Sequence, residues 1–248
     1  MSKEEFTKKY YRMQSLTRPF NALLKRVGYI DEELKLPRVA VYNSWSEQSP
    51  GHMHFTQIAK MVRTGINLAG GMCIESGQGG SNSCTYRMTY DLPGRDAVFF
   101  GIEAGFHRDA DAWVGLVSCD KVVPGMLLAA CRINKPCVLV SGGPSMPIQY
   151  EGETLMVGEG FGDILNSKYL KGEMSDEELA REATKLTDMC EVCPGTCVEM
   201  TTGESMQQAI EGLGMCLPGS AGIPAFFSER LRSSKRAGMA AVNLAKKT

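Results

Sequence analysis

Residues 112–141 read AWVGLVSCDKVVPGMLLAACRINKPCVLVS. A short apolar run, 112–117, ends at a thiol, an acid and an amine: Cys119, Asp120 and Lys121. Pro124, Gly125 and a helical pattern follow, then a second apolar run at 136–140. Strand, loop, helix and strand in that order predict the unit of a parallel α/β sheet. Reactive groups in such a loop lie at the carboxyl end of a strand, where open α/β sheets bind ligands. The thiol also stands near a helix N-terminus, which favours a thiolate. A soft thiolate beside a hard carboxylate suggests two kinds of metal at one place. The competing reading, a buried cysteine with an exposed Asp-Lys ion pair, fits the pattern equally well.

Working outward from this stretch, residues 2 to about 27 read as a helix with Ser2 as its cap. A strand is expected at 38–42, and the polar loop NSWSEQSPGH follows at 43–52. Apolar residues at helical spacing span 55–68, stopped by Gly70 and Gly71. Residues 72–75 suit another strand, SGQGGSNSC at 76–84 a loop, and 96–107 a helix. Downstream, GGPSMPIQYEGE at 142–153 reads as loop. Ser175 and Glu178 form a capping box ahead of a helix to 189, broken at 190–195. A helix over 199–213, a turn-rich link LPGSAGIP at 217–224 and an amphipathic helix from about 228 complete the chain. The expected fold class is α/β: a parallel-sheet sandwich with helices on both faces, plus a C-terminal helical segment. It is read as one domain over 1–248, with a helical arm at 1–35 and a helical segment at 175–248 carrying the second cysteine motif.

The 248 residues suffice for a real core, and 43% hydrophobic with 22% charged residues are ordinary globular values. A formal net charge of −1 points to no nucleic-acid or acidic-membrane partner. No apolar run is long enough to span a bilayer, and the start MSKEEFTKKYYRMQ lacks a signal-peptide core. The chain is therefore read as cytoplasmic. Nine cysteines then need an account other than disulfides. Cys131 on the helix and Cys137 on the strand are expected to be buried and inert. Cys190-x-x-Cys193-Pro-Gly-Thr-Cys197 is a metal signal, open to three readings: half a zinc site, a redox pair, or part of an iron–sulfur site. Zinc would want a second close pair, whereas Cys73, Cys84 and Cys119 are isolated. An iron–sulfur cluster accepts cysteines from distant loops. The loop at 76–84 could cradle an anion or be a surface loop. The loop at 43–52 could line the same crevice as Cys119, with His52 structural. His54 and His107 are scattered, and most of the 15 methionines suit core positions.

The blocks VSCDKVVPGMLLAACRINKPCVLVSGGPSM, CPGTCVEMTTGESM and LPGSAGIPA, with NSWSEQSPGHMHF and YDLPGRD upstream, resemble the dihydroxy-acid dehydratase / phosphogluconate dehydratase family. The resemblance runs from about 8 to 245. It implies elimination of water from 2,3-dihydroxy acids or sugar acids to give 2-keto acids, in branched-chain amino-acid biosynthesis or sugar-acid metabolism. It implies an iron–sulfur cluster and Mg²⁺. Cys119 and Cys197 would be cluster ligands, and Asp120 would bind Mg²⁺. Lys121 would be the carbamylated lysine that also binds Mg²⁺ and serves catalysis. Cys84 would be the third cluster ligand, ahead of Cys73, Cys190 and Cys193. A [4Fe–4S] cluster is favoured over [2Fe–2S], because Pro50-Gly51-His52 resembles relatives without a first-loop cysteine.

Three departures stand out. Where many relatives carry that first-loop cysteine, this chain has Gly51. The loop at 76–84 is shorter than in relatives and has no aspartate. Relatives continue into a second domain, which supplies another carboxylate and a serine base, and the expectation is that these groups come from outside the 248 residues. The expectation is therefore the N-terminal half or subunit of a split or truncated hydro-lyase. It would act on a small hydroxy acid with a C-terminal-domain chain, as a homodimer, or both. The alternative is a non-catalytic iron–sulfur paralogue with a binding or regulatory role. A zinc-binding structural protein is the third reading.

Overall fold

The computed structural model describes residues 19–78, 91–106, 109–150, 152–155, 159–189, 194–196 and 202–247, with the single positions 5 and 200. Its centre is a four-stranded parallel sheet of β1 (Arg38–Asn43), β2 (Met72–Gly77), β3 (Ala112–Val117) and β4 (Cys137–Ser141), in the order β2-β1-β3-β4. Every residue of β3 is buried, as a central strand covered on both faces requires. In register, Asn43 of β1 stands opposite Gly77 of β2 on one side and Leu116 of β3 on the other. The outer edge of β4 is covered from elsewhere in the chain: Leu139 N–H donates to Met215 O at 2.7 Å.

The period-2 alternation of the strands separates two cores. Val39, Val41, Val114, Leu116, Val138 and Val140 face one side and pack on α2 (Phe55–Leu68) and α8 (Ser228–Ala245). Ala40, Tyr42, Trp113, Val117 and Leu139 face the other side, against α3 (Asp91–Gly105), α4 (Val122–Ile133) and α7 (Thr202–Gly212). Helices thus cover both faces, and the α/β sandwich inferred from the sequence is the fold. The preceding α1 (Pro19–Arg26) sets Leu24 into a small cluster with Leu34 and Met72. Helices α2 and α8 cross in unusually close contact. A Cβ on Gly65 would overlap the Lys235 carbonyl oxygen, and one on Gly238 the Val62 carbonyl oxygen.

Several local expectations are corrected. The segment expected as a loop at 142–153 contains most of a hairpin, β5 (Ile148–Tyr150) and β6 (Glu153–Leu155). Ile148 and Tyr150 are buried in a satellite core with Leu165 and Leu186, which come from α5 (Glu159–Leu170) and α6 (Asp176–Met189). That partner core lies far away in sequence, and so does its signal. Helix α5 was not anticipated. Helix α3 begins at Asp91 rather than 96, because Pro93 in a first turn gives up no helical hydrogen bond. Cys131 is exposed, not buried: Met126, Ala129 and Ala130 of α4 face the core, while 131 and 132 point outward. Cys137 is half-buried, and burial pushes its thiol well up, as an inert cysteine requires. The capping box holds: Ser175 N–H donates to Glu178 Oε2 at 2.9 Å, and Glu178 N–H to Ser175 Oγ at 3.3 Å.

Candidate active site at the carboxyl end of the sheet

The chain leaves β1 through α2 toward β2, and leaves β3 through α4 toward β4, on opposite sides of the sheet. The crevice between β1 and β3 at their carboxyl ends is therefore the topological switch point, the place where such sheets bind ligands. Cys119, Asp120 and Lys121 lie in the loop that leaves β3 there, between β3 and α4. All three are buried, at 4%, 8% and 6% exposure. Lys121 Nζ donates to Asp120 Oδ1 at 2.7 Å and Oδ2 at 2.6 Å. The expectation of an exposed ion pair under the competing reading is thus wrong: acid and amine face inward beside the thiol. The loop is tied down by Arg95 of α3, whose Nε–H donates to Asp120 O at 3.2 Å. Arg95 belongs to the YDLPGRD block, one of the stretches that carry the family resemblance.

The opposite wall is the loop after β1. Ser44 Oγ donates to Leu116 O at 2.7 Å, clamping the ends of β1 and β3 together. His52 is fully buried, and its Nδ1 lies 2.8 Å from Ser44 O. Donation from Nδ1–H leaves Nε2 as an acceptor, and that nitrogen has no partner among the described residues. Burial pushes the His52 imidazole down to about 4, so it is neutral at pH 7. Burial likewise lowers His54, whose Nε2 lies 3.0 Å from Gly142 O. Ser49 Oγ and Ser118 Oγ are also buried without a partner among the described residues. Gly51 and Gly142 hug Ser118: a Cβ on either would stand 2.9 Å from Ser118 Oγ. Buried polar atoms are normally satisfied. Orphans grouped in the 43–52 and 118 loops mark this crevice as built for something polar.

A third wall is the 194–196 segment. Gly195 N–H donates to Pro50 O at 3.1 Å, Thr196 N–H to Gly143 O at 3.0 Å, and Ser145 N–H to Thr196 O at 2.9 Å. Gln207 of α7 locks this clasp, accepting from Gly143 N–H at 2.9 Å and donating to Thr196 Oγ1 at 2.9 Å. Glu204 joins it at 3.2 Å from Gln207 Nε2. Burial raises the Glu204 carboxyl above the usual range. A Cβ on Gly51 would touch both Ser118 and Thr196, at 2.9 and 3.6 Å. Thr196, the neighbour of Cys197, is therefore seated next to the residue before Cys119. Arg230 braces the floor, with Nη1–H groups on Ser141 O and Oγ, both at 2.8 Å, and Nη2 on Ile223 O.

Of the site residues inferred from sequence, Cys119, Asp120 and Lys121 come together here. Cys84 and Cys197 lie outside the described residues, as do Cys190, Cys193 and His107. Cys73 stands in β2 opposite Val39, four residues before the strand's carboxyl end, roughly 13 Å from it along the strand. Burial pushes its thiol up to about 11. It is a core residue, not a site residue. Among the described residues no group of three or more His, Cys, Asp or Glu side chains is placed to hold a metal ion. Arg95, Gln207 and Thr196 carry no local signal in the sequence. Their task is to hold other residues, through long-range contacts such as Arg95 to Asp120 O and the bridge of Pro144 to Thr196.

Fold and site together define an open α/β domain that gathers a thiol, a carboxylate and an amine at its switch point. The chain belongs to the dihydroxy-acid/6-phosphogluconate dehydratase N-terminal family, whose pattern it matches over residues 36–248. It is 38% identical over 234 residues to the dihydroxy-acid dehydratase of Acetivibrio thermocellus, covering 92% of this chain and 41% of that protein. It is 40% identical over 235 residues to that of Desulfitobacterium hafniense, covering 91% and 40%. With that of Pyrococcus abyssi the identity is 36% over 240 residues, covering 91% and 41%. The chain thus spans about two fifths of the length of these relatives. Among the described residues, no helix is long and apolar enough to cross a membrane.

Proposed function

We propose that this chain forms the N-terminal, metal-binding part of a hydro-lyase that converts 2,3-dihydroxy acids or sugar acids into 2-keto acids. The observation that carries the reading is the buried grouping of Cys119, Asp120 and Lys121 at the switch point, beside a clasp that seats the neighbour of Cys197. The donors fit the two groups that the resemblance implies. A reduced, buried thiol near the N-terminus of α4 suits iron, and a nearly buried carboxylate suits Mg²⁺. Cys119, Cys197 and Cys84 would hold the cluster; Asp120 and Lys121 would hold Mg²⁺. When bound, the two groups supply Lewis acidity for departure of the 3-hydroxyl and charge to hold the substrate carboxylate and 2-hydroxyl.

The protein's own groups do the rest. As an ammonium, Lys121 neutralises Asp120 and competes with a cation for its oxygens. Carbamylation replaces that positive charge with a negative one and turns the pair into a two-anion cradle. It requires Lys121 to give up one proton as an ammonium, bond its free amine to CO₂, and release a second proton as the carbamate forms. Neutral His52 and Ser118, both fully buried, form the wall behind the Cys119 loop, each with a side-chain polar atom unpaired among the described residues. Water is excluded on three sides by the loops after β1 and β3 and by the 194–196 clasp. The fourth side is proposed to be closed by a C-terminal-domain chain, which would also supply the base; self-association as a homodimer is compatible with this. The absence of an aspartate in the loop at 76–84 favours a second reading, a non-catalytic iron–sulfur-binding subunit.

The test begins with anaerobic purification, which is expected to give a brown protein. Cys119→Ser should bleach it, while Cys131→Ser, exposed on the same α4, should leave iron content unchanged. A colourless protein with stoichiometric zinc overturns the reading. Turnover of 2,3-dihydroxyisovalerate or an aldonic acid is expected only after a C-terminal-domain chain is added. An intact cluster with no turnover under any pairing moves the assignment to the non-catalytic subunit.

A further inference from the structure

One strand away from Cys119 lies a recess with different chemistry. It opens at the carboxyl ends of β1 and β2, encloses about 330 Å³, and is lined by Asn43, Trp45, Thr56, Glu75, Gly77 and Gln78. Trp45 is 44% exposed, whereas the chain's other tryptophan, Trp113, is fully buried. The Trp45 indole N–H donates to Met53 O at 3.1 Å, and its backbone N–H to Asn43 Oδ1 at 3.0 Å. The ring edge is tied, and half of the residue's surface stays open. Beside it, Glu75 accepts from Asn43 Nδ2 at 2.9 Å and from Arg63 Nη2 at 3.1 Å. A carboxylate has about four acceptor positions, so roughly two are not used by the described residues. Asn43 has a second amide hydrogen in the same wall.

An open aromatic face next to a fixed carboxylate and an amide suits a chain of hydroxyl-bearing carbons. C–H faces lie on the ring, and hydroxyls donate to Glu75 and accept from Asn43. A branched alkyl tail would instead strip water from these polar groups without replacing it, an arrangement that discriminates strongly. We propose that this recess is a specificity subsite for the hydroxylated tail of a polyhydroxy acid, with Trp45, Glu75 and Asn43 as its reading residues. The proposal rests on placing the reaction at the Cys119–Lys121 loop. Register supports the span: Gly77, Asn43 and Leu116 stand side by side on β2, β1 and β3. With strands about 4.8 Å apart, the ends of β2 and β3 lie about 10 Å apart. A six-carbon acid, with five carbon–carbon bonds of about 1.5 Å, spans about 7 Å, enough to react near β3 and lay its tail one strand spacing away at the end of β1, beside Trp45 and Asn43, where Glu75 reaches across from β2 to meet Asn43.

The experiment uses the full chain and D-gluconate, with 2,3-dihydroxyisovalerate as the comparison. Trp113 is buried in the core, so ligand-induced changes in tryptophan emission report Trp45. D-gluconate is expected to change the emission saturably, and 2,3-dihydroxyisovalerate to leave it unmoved at equal concentration. Calorimetry should show gluconate affinity falling about 3- to 10-fold in Trp45→Leu and in Glu75→Gln. Equal responses to both acids, or no response to gluconate, overturn the subsite. Gluconate binding reported by Trp45, with no turnover when the partner chain is present, upholds the subsite and sinks the dehydratase reading. Turnover of 2,3-dihydroxyisovalerate alone, with Trp45 silent to gluconate, keeps the dehydratase reading and sinks the subsite.

Discussion

Replacing Gly238 by Ala adds one methyl group to the middle of α8, and the packing decides its sign. In an exposed helix Ala is favoured over Gly by about 1 kcal/mol. Here the new Cβ would overlap the Val62 carbonyl oxygen and stand 3.0 Å from Ile66 N, both rigid backbone atoms of α2. Neither can turn aside as a side chain would, so α8 has to retreat by roughly 1 Å. A gap of that size forfeits about a quarter to a half of the dispersion energy of the contacts it opens. Ala237, Ala241 and Val242, all buried on the α2 side, lose part of their packing together. Overpacking of this kind costs about 1–3 kcal/mol, and the upper part of that range is expected here, since a whole helix interface moves. The propensity gain offsets part of it, leaving a net loss of about 2 kcal/mol, or roughly 4–8 °C in Tm for a chain of this size. Urea denaturation followed by circular dichroism measures it, with the midpoint falling at unchanged slope. Gly105→Ala serves as the control, because among the described residues nothing stands within 4 Å of its Cβ position at the end of α3. A Gly238→Ala protein as stable as the parent would refute the close crossing of α2 and α8.

The buried imidazole of His52 makes stability pH-dependent. Its folded value of about 4 lies below the ordinary 6.5, so above pH 6.5 it is neutral in both states and its contribution is complete. As pH falls from 6.5 toward 4, the unfolded chain binds a proton that the folded chain refuses, costing about 2 kcal/mol by pH 5. His52→Gln should flatten the fall in urea midpoint between pH 7 and 5; parallel curves would contradict this. Gln207→Leu strands Gly143 N–H and deprives Thr196 Oγ1 of a donor, an expected loss of about 2–4 kcal/mol. Because it loosens the clasp before Cys197, iron content after anaerobic reconstitution should fall as well, and Gln207→Glu should recover part of the stability by restoring the acceptor to Gly143. Iron retained in full by Gln207→Leu would mean that the clasp does not seat the 197 thiol.

How legible the molecule was depended on whether a signal is local. The apolar run 112–117 could be read as a central strand because all six residues are buried on two faces, leaving no alternation to confuse. Helix α2 could be placed to the residue, since apolar spacing and Gly70 both act within a turn or two. Hairpin β5–β6 was hidden: Ile148 and Tyr150 are buried only because Leu186, nearly forty residues on, covers them. Cys131 went astray for the same reason. A cysteine's sequence neighbours do not say whether it faces solvent or core.

The sequence by itself determined the parallel α/β unit around Cys119, the helices with strong caps, and the family, whose motifs stand in order along the chain. Those are properties of short stretches, in which periodicity, turn chemistry and reactive side chains sit side by side. Only the tertiary structure decided that Asp120 and Lys121 pair in a buried crevice rather than on the surface. It alone set His52 neutral, tied Arg95 to the Asp120 carbonyl, and bridged Pro144 to Thr196 across fifty residues. The physical reason is that burial, and with it the strength of every charge and hydrogen bond at the site, depends on what the rest of the chain brings over the end of the sheet.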